Sequence, residues 1–146
     1  MMAMMKSSTF EMAVEADLEN LSILSEFIAR VMREIGADER SLFEVQLAVD
    51  EACTNIIQHA YSGEGGTISI GCQLADDSLV VTIRDQGKPF DPNSIPPPDL
   101  GAGAGERKVG GLGMFLMTKM MDEVSYGFDA QRGNELTMCK KLRRLK

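Results

Sequence analysis

Apolar residues recur along this chain with two periods, and the switches between them outline the elements. Residues 8–14 (STFEMAV) alternate apolar and polar, the rhythm of a half-buried strand. After Asp17, an N-cap residue type, Leu21, Leu24, Ile28, Val31, Met32 and Ile35 share one face of a helical spiral. That spacing predicts a helix over 18–35, stopped by Gly36. A second helix starts at Asp38 or Ser41 and runs to about Tyr61, with Leu42, Val45, Val49, Ala52, Cys53, Ile56 and Ala60 as its apolar stripe. Gly63, Gly65 and Gly66 then turn the chain. Residues 67–74 and 78–84 read as two strands joined by an Asp-Asp turn, an antiparallel hairpin. A third helix is expected over roughly 111–122, and residues 123–129 and 134–142 as a last hairpin turning at Gly133.

One stretch obeys neither rhythm. All five prolines fall between 89 and 98, and Gly101, Gly103 and Gly105 come directly after. Such a segment is neither helix nor central strand, and a loop this long in a compact domain is disordered or a lid. The element order gives an α+β class: a two-layer α/β sandwich, with three main helices on one face of a mixed, mostly antiparallel sheet. The 146 residues suit a single domain, 1–146, and no internal repeat is visible.

Composition narrows the function classes. The chain is 44% hydrophobic and 25% charged, the balance of a soluble globular protein, and no apolar run is long enough to span a bilayer. The opening MMAMMKSS lacks the apolar core of a secretory signal, so a cytoplasmic protein with no membrane partner is expected. A net charge of −7 argues against nucleic acid and favours a protein partner. The basic end, KKLRRLK over 140–146, reads as a solvated strand end. Three scattered cysteines, Cys53, Cys72 and Cys139, lie among apolar neighbours and read as packing, not as a disulfide or zinc framework. His59 is the sole histidine, which excludes a multi-His metal centre; it reads as a cap or core residue. Met114, Met117, Met120 and Met121 read as core and lining.

Three short motifs carry candidate chemistry. Glu51 and Asn55, four apart in DEACTNIIQHAY, meet on one helix surface. The Asn oxygen suits Mg²⁺, and the Glu can take a proton from an attacking hydroxyl. Alone, such a pair is usually a solvated face. Asp85 ends a strand and Gly87 comes two residues later. A carboxylate there accepts a hydrogen bond from the adenine amine, whereas guanine would present a repelling oxygen. Gly87 would let backbone approach the ring, although Asp-x-Gly is also a common turn. Gly110, Gly111, Leu112 and Gly113 precede a helix, where bare amides bind phosphate. Arg107 and Lys108 just before them can neutralise a terminal phosphate. The common P-loop pattern GxxxxGK[ST] is absent.

In this order and spacing the motifs resemble the GHKL, or Bergerat-fold, ATPase superfamily, which includes gyrase, histidine-kinase ATP domains and mismatch-repair ATPases. The wording DEACTNIIQHAY … DQGKPFDP … GGLGMFLM is similar to the anti-sigma-factor serine/threonine kinase branch (RsbW-like), over about residues 8–142. The resemblance implies Glu51 as general base, Asn55 as Mg²⁺ ligand, Asp85 with Gly87 as the adenine reader, and Gly111 and Gly113 of the second glycine box as phosphate holders. It implies a basic lid residue at the γ-phosphate, for which Arg107 is the candidate and Lys108 the substitute. Members often carry a Thr pair after the last hairpin's glycine; here the run is Gly133-Asn134-Glu135-Leu136-Thr137, which leaves the register of any hydroxyl contact open.

The expectation is therefore an ATP- and Mg²⁺-dependent kinase that phosphorylates a Ser or Thr of a small, STAS-like anti-sigma-factor antagonist and sequesters a sigma factor, as a homodimer by family expectation. The competing expectation is an ATP-binding partner-switching module without efficient transfer. A detached histidine-kinase domain fits less well, because 146 residues leave no room for a phospho-accepting hairpin.

Overall fold

The computed structural model describes residues 9–89 and 116–142. Strand β1 spans Thr9–Glu15, with Phe10, Met12 and Val14 turned inward and their neighbours outward. Asp17 caps the first helical segment, its side chain accepting from the Glu19 amide at 2.9 Å. That segment opens with a tight 3₁₀ turn, Leu18–Asn20, and the α-helix proper (α1) is Leu21–Glu34. Its end has a physical cause. Gly36 sits at φ +74, its N–H donates to the Arg33 carbonyl, and the Ala37 N–H donates to the Met32 carbonyl. These are the two bonds of a Schellman cap, which needs a left-handed residue best supplied by glycine.

Helix α2 is Glu39–Asn55, capped by Asp38, whose Oδ1 accepts from the Ser41 amide at 2.8 Å. The expected run to Tyr61 is helical throughout but not α throughout. Ile56–Ala60 is a π turn, closed by the Tyr61 amide on the Ile56 carbonyl. Gln46 joins the two helices, its Nε2 donating to the Ser25 carbonyl at 3.0 Å and hydroxyl at 3.1 Å.

Strands β2 (Thr67–Ala75) and β3 (Ser78–Asp85) form the expected hairpin across Asp76 and Asp77. Residues 116–120 are helical and fall within the expected third helix, which ends at Met120 and not at 122; residues 111–115 lie outside the described residues. Strands β4 (Glu123–Asp129) and β5 (Gly133–Lys141) complete a sheet of order β1-β2-β3-β5-β4. All four pairings are antiparallel, so no parallel neighbours are mixed in among the described strands. β4 points the same way as β3, but β5 inserts between them. Gly133 opens β5 at φ +88 and is not the tip of the hairpin turn, which lies at 130–132.

One sheet face presents Ile68, Ile70, Cys72, Leu79, Val81, Ile83, Leu136 and Met138 to the helices, where they meet Leu24, Ile28, Met32, Val45 and Val49 in one core. Each fully buried aliphatic side chain there is worth about 1.5–3 kcal/mol. The methionine reading holds for Met117 and Met121, both buried; Met114 lies outside the described residues. Among the described residues no helix is long and apolar enough to cross a membrane.

Two expectations are corrected. His59 is exposed, not a core residue. Lys140 is not a solvated strand end: its ammonium lies 2.8 Å from Glu44 and donates to the Met120 carbonyl, with the side chain only 12% exposed. Strand β5 aims it under the helix layer, so the desolvated charge takes these two partners.

Candidate active site

The helix layer supplies Asp50, Glu51 and Asn55. Asn55 is buried, and its Nδ2 has no hydrogen-bond partner among the described residues. Leaving such a group unmade costs about 1–3 kcal/mol, so a buried orphan invites a ligand. A carboxamide presents a donor or, turned over, an acceptor, which fits phosphate oxygens and a hard cation alike. Glu51 lies one turn earlier, half-buried. Burial raises its pKa above the usual carboxylate range, and the Asp50 charge beside it adds to the rise. Asp50 is raised by burial as well. The helix changes from α to π immediately after Asn55, a departure that recurs at functional sites.

The sheet layer supplies Asp85, the last residue of β3, 4% exposed. Its Oδ1 accepts from the Gly87 amide at 2.9 Å and from Asn134 Nδ2 at 2.7 Å. No hydrogen bond from a described residue reaches Oδ2, which remains to accept from a ligand. Burial pushes the Asp85 carboxyl up, and the Asn134 and Gly87 hydrogen bonds pull it partly back.

The loop after Asp85 is pinned on both sides. The Gln86 amide donates to the Tyr61 hydroxyl at 2.7 Å, and that hydroxyl donates to the Thr67 carbonyl. The Lys88 amide donates to the Ala60 carbonyl at 2.7 Å. A Cβ on Gly87 would fall 2.5 Å from that same carbonyl, so the close approach that demands glycine here is to the helix end. Gly133 is equally constrained, since a Cβ there would fall 2.3 Å from the Asp85 carbonyl.

Asn55 and Asp85, far apart in sequence, line one hollow with Ala52, Ile56, Met117, Tyr126 and Leu136. Its volume is about 10 Å³, room for about one water. A flat ring is larger than this hollow, so lining side chains would have to shift to admit one. Of the expected site residues, Asn55 and Asp85 meet in this hollow, Gly87 bonds Asp85 from the loop beside it, and Glu51 lies one turn before Asn55 on α2. Arg107, Lys108, Gly110, Gly111, Leu112 and Gly113 lie outside the described residues.

Several side chains join the site without a clear sequence signal. Asn134 faces Asp85 directly across β3 and β5, and Tyr126 donates to Asn134 Oδ1 at 2.7 Å. The residue that the register sets opposite Asp85 is therefore Asn134, next to the glycine, and it carries no hydroxyl. Thr137 pairs with Thr82 and Ser125, three residues further along β5 from Asn134. Among the described residues no three His, Cys, Asp or Glu side chains gather as a metal site. An Mg²⁺ ion would thus depend on the Asn55 amide together with phosphate oxygens. The Cys53 and Cys72 thiols are pushed up to about 12 by burial, which makes them poor nucleophiles.

Comparison with known proteins points the same way. The histidine kinase-like ATPase domain family matches residues 14–140. A serine-protein kinase RsbW of Halalkalibacterium halodurans is 34% identical over 140 residues, spanning 93% of this chain and 85% of that protein. One of Bacillus cereus is 31% identical over 138 residues, spanning 92% and 85%. A crystal structure of the RsbU and RsbW domains of a Mycobacterium tuberculosis protein superposes with a TM-score of 0.68 at 18% identity, over 94% of this chain and 33% of that one. At that identity the superposition establishes the fold.

Proposed function

The chain belongs to the histidine kinase-like ATPase domain family and is an ATP-dependent serine/threonine protein kinase, and on that premise we propose what it acts on and how. The substrate is a Ser or Thr of a small, STAS-like anti-sigma-factor antagonist. The unphosphorylated antagonist competes with a sigma factor, which this chain otherwise sequesters. The setting is the cytoplasm and the working form a homodimer.

The observation that carries the reading is the meeting of Asn55 and Asp85 in one buried hollow, with Glu51 a turn away on the same helix. Asp85 Oδ2 accepts from the adenine amine. Asn55 gives its amide to the phosphates and to Mg²⁺, which when bound neutralises phosphate charge. Glu51 takes the proton of the substrate hydroxyl as its oxygen bonds to the γ-phosphorus. The bond from that phosphorus to the β–γ bridging oxygen breaks, and ADP leaves with the oxygen. A carboxylate raised above its usual range is better matched to that proton transfer near neutral pH. Gly110, Gly111, Leu112 and Gly113 hold phosphate oxygens through backbone amides. Arg107, or Lys108, answers charge on the transferred group.

The test incubates the protein with γ-labelled ATP, Mg²⁺ and an antagonist encoded nearby. Alkali-labile, acid-stable label on the antagonist is the expected result. Tight ATP binding without label would leave a partner-switching module instead.

A further inference from the structure

Helix α2 carries two apolar side chains that its sheet-facing stripe does not use. Phe43 is 61% exposed, and Leu47, one turn on, is half-buried. At helical spacing they fall on one line with Asp50 and Thr54, on the side of α2 turned away from its buried face. Thr54 adds no free donor, since its hydroxyl donates to the Asp50 carbonyl at 2.7 Å. The line runs up beside Glu51. Phe43 stands about 12 Å before Glu51 along the helix axis, and Leu47 about 6 Å. A single exposed apolar residue means little on a protein surface. Here two stand in register and lead to a pair of carboxylates, and among the described residues neither Asp50 nor Glu51 makes an ion pair.

We propose that the Phe43–Leu47–Asp50 ridge of α2 is the docking surface for the protein substrate, with apolar contact at Phe43 and Leu47 and a basic side chain of the substrate laid against Asp50, beside the Ser or Thr that reaches Glu51. The proposal rests on the reading of Glu51 as the proton acceptor. A protein kinase holds a whole partner and not only a hydroxyl, and the transfer site fixes where: the covered surface has to include the surroundings of Glu51. A standard interface covers about 800 Å² on each side, so one footprint around Glu51 extends to Phe43. The chemistry of the ridge fits that occupant. Aromatic side chains carry much of the energy of such contacts. A carboxylate beside them selects a partner of opposite charge and sets its register. A second copy of this chain, with its net charge of −7, is repelled by the same carboxylates.

Steady-state kinetics on the full chain test this, with ATP, Mg²⁺ and the antagonist encoded nearby as substrate, on the wild type and on Phe43→Ser, Leu47→Gln and Phe43→Trp. Phe43→Ser and Leu47→Gln are expected to raise KM for the antagonist by about tenfold or more and to leave kcat within about twofold. For Phe43→Ser the ADP affinity and the denaturation midpoint should stay at the wild-type values, because the side chain is exposed. Phe43→Trp keeps an aromatic surface and should keep the wild-type KM. The chain has no tryptophan, so Phe43→Trp made with 5-fluorotryptophan places a single fluorine on the ridge. Its resonance should shift when unlabelled antagonist is added, and not when the chain alone is diluted. A response to dilution alone would assign the ridge to a second copy and overturn the proposal. So would an unchanged KM in variants of a wild type that labels the antagonist, or a loss of ADP affinity that matches the rise in KM. A wild type that transfers nothing to the antagonist would instead overturn the substrate reading beneath it.

Discussion

The Tyr61 hydroxyl lies 2.7 Å from the Gln86 amide nitrogen, so the end of the helix layer holds the strand end that carries Asp85. The same hydroxyl donates to the Thr67 carbonyl. Tyr61→Phe keeps the ring and leaves an amide and a carbonyl without their partner. The expected loss is about 1–3 kcal/mol of stability. Denaturant titration should show a lower midpoint at unchanged slope, together with weaker nucleotide binding. Unaltered affinity would mean that the 85–88 loop holds its shape without Tyr61.

Legibility in the sequence depends on whether a signal is local. Asp17, Asp38 and Gly36 act on backbone groups within a few residues, and each ends or starts an element where the pattern places it. Glu51, Asn55 and Asp85 carry a chemical signature in their type and spacing. The π turn at Ile56–Ala60 does not, because the same apolar stripe fits either helix and only the choice of carbonyl differs. Asn134 and Tyr126 are silent in the sequence because their partners come from strands brought together by topology. Lys140 misleads for the same reason: a basic run looks solvated until a neighbouring helix supplies Glu44.

On the roles proposed above, Glu51 and Asp85 serve different steps, so their variants should separate. In that reading Glu51→Ala removes the proton acceptor and leaves the groups proposed for base and phosphate in place. It is expected to keep nucleotide affinity and lose transfer by about 10²–10⁴-fold. Asp85→Asn swaps an acceptor pair for a half-donor and should weaken adenine nucleotides foremost. Binding by calorimetry and labelled transfer, run on both variants, decide it; equal loss of binding in both would sink the division of roles.

The raised carboxyls fix the sign of a pH effect. For Asp85 the folded pKa lies above the unfolded one, because desolvation outweighs the Asn134 and Gly87 hydrogen bonds. Its contribution to stability is full below the ordinary aspartate pKa and is lost as pH rises through the raised value. Asp50 and Glu51 shift in the same direction. Asp85→Asn removes one of these titrations, so its stability relative to wild type should improve as pH climbs from the acidic carboxylate range to neutrality. Denaturation midpoints of both proteins across that range provide the measurement. A relative stability that falls with pH would contradict the assignment.

Lys140 ties the helical residues 116–120 to α2 by joining the Met120 carbonyl to Glu44. Without it, Glu44 keeps among the described residues only Arg40 at 3.7 Å, a far more exposed partner. Lys140→Met preserves the stem and removes the charge. A loss of about 1–3 kcal/mol is expected, larger than for an exposed pair because the ammonium is largely shielded from water. The wild-type advantage should shrink only modestly in high salt; its complete disappearance there would mark the contact as a surface pair.

Met117 is 1% exposed and lines the hollow between Asn55 and Asp85. It belongs to the helical residues 116–120, which come just after the glycine-rich run in sequence, and on the proposed reading it is a side chain that a purine entering the hollow would displace. Two effects of Met117→Ala then oppose each other. Truncating a buried methionine should cost about 2–5 kcal/mol of stability. The same truncation opens the hollow before the ligand arrives, so adenine nucleotide should associate faster even though the protein is less stable. Stopped-flow association with a fluorescent ADP, set beside denaturant titration, reads both quantities on one sample. Faster association with a lower midpoint is the expected pair. A slower or unchanged rate would mean that Met117 does not gate entry, and that the base reaches Asp85 by a movement elsewhere between the helix layer and the sheet.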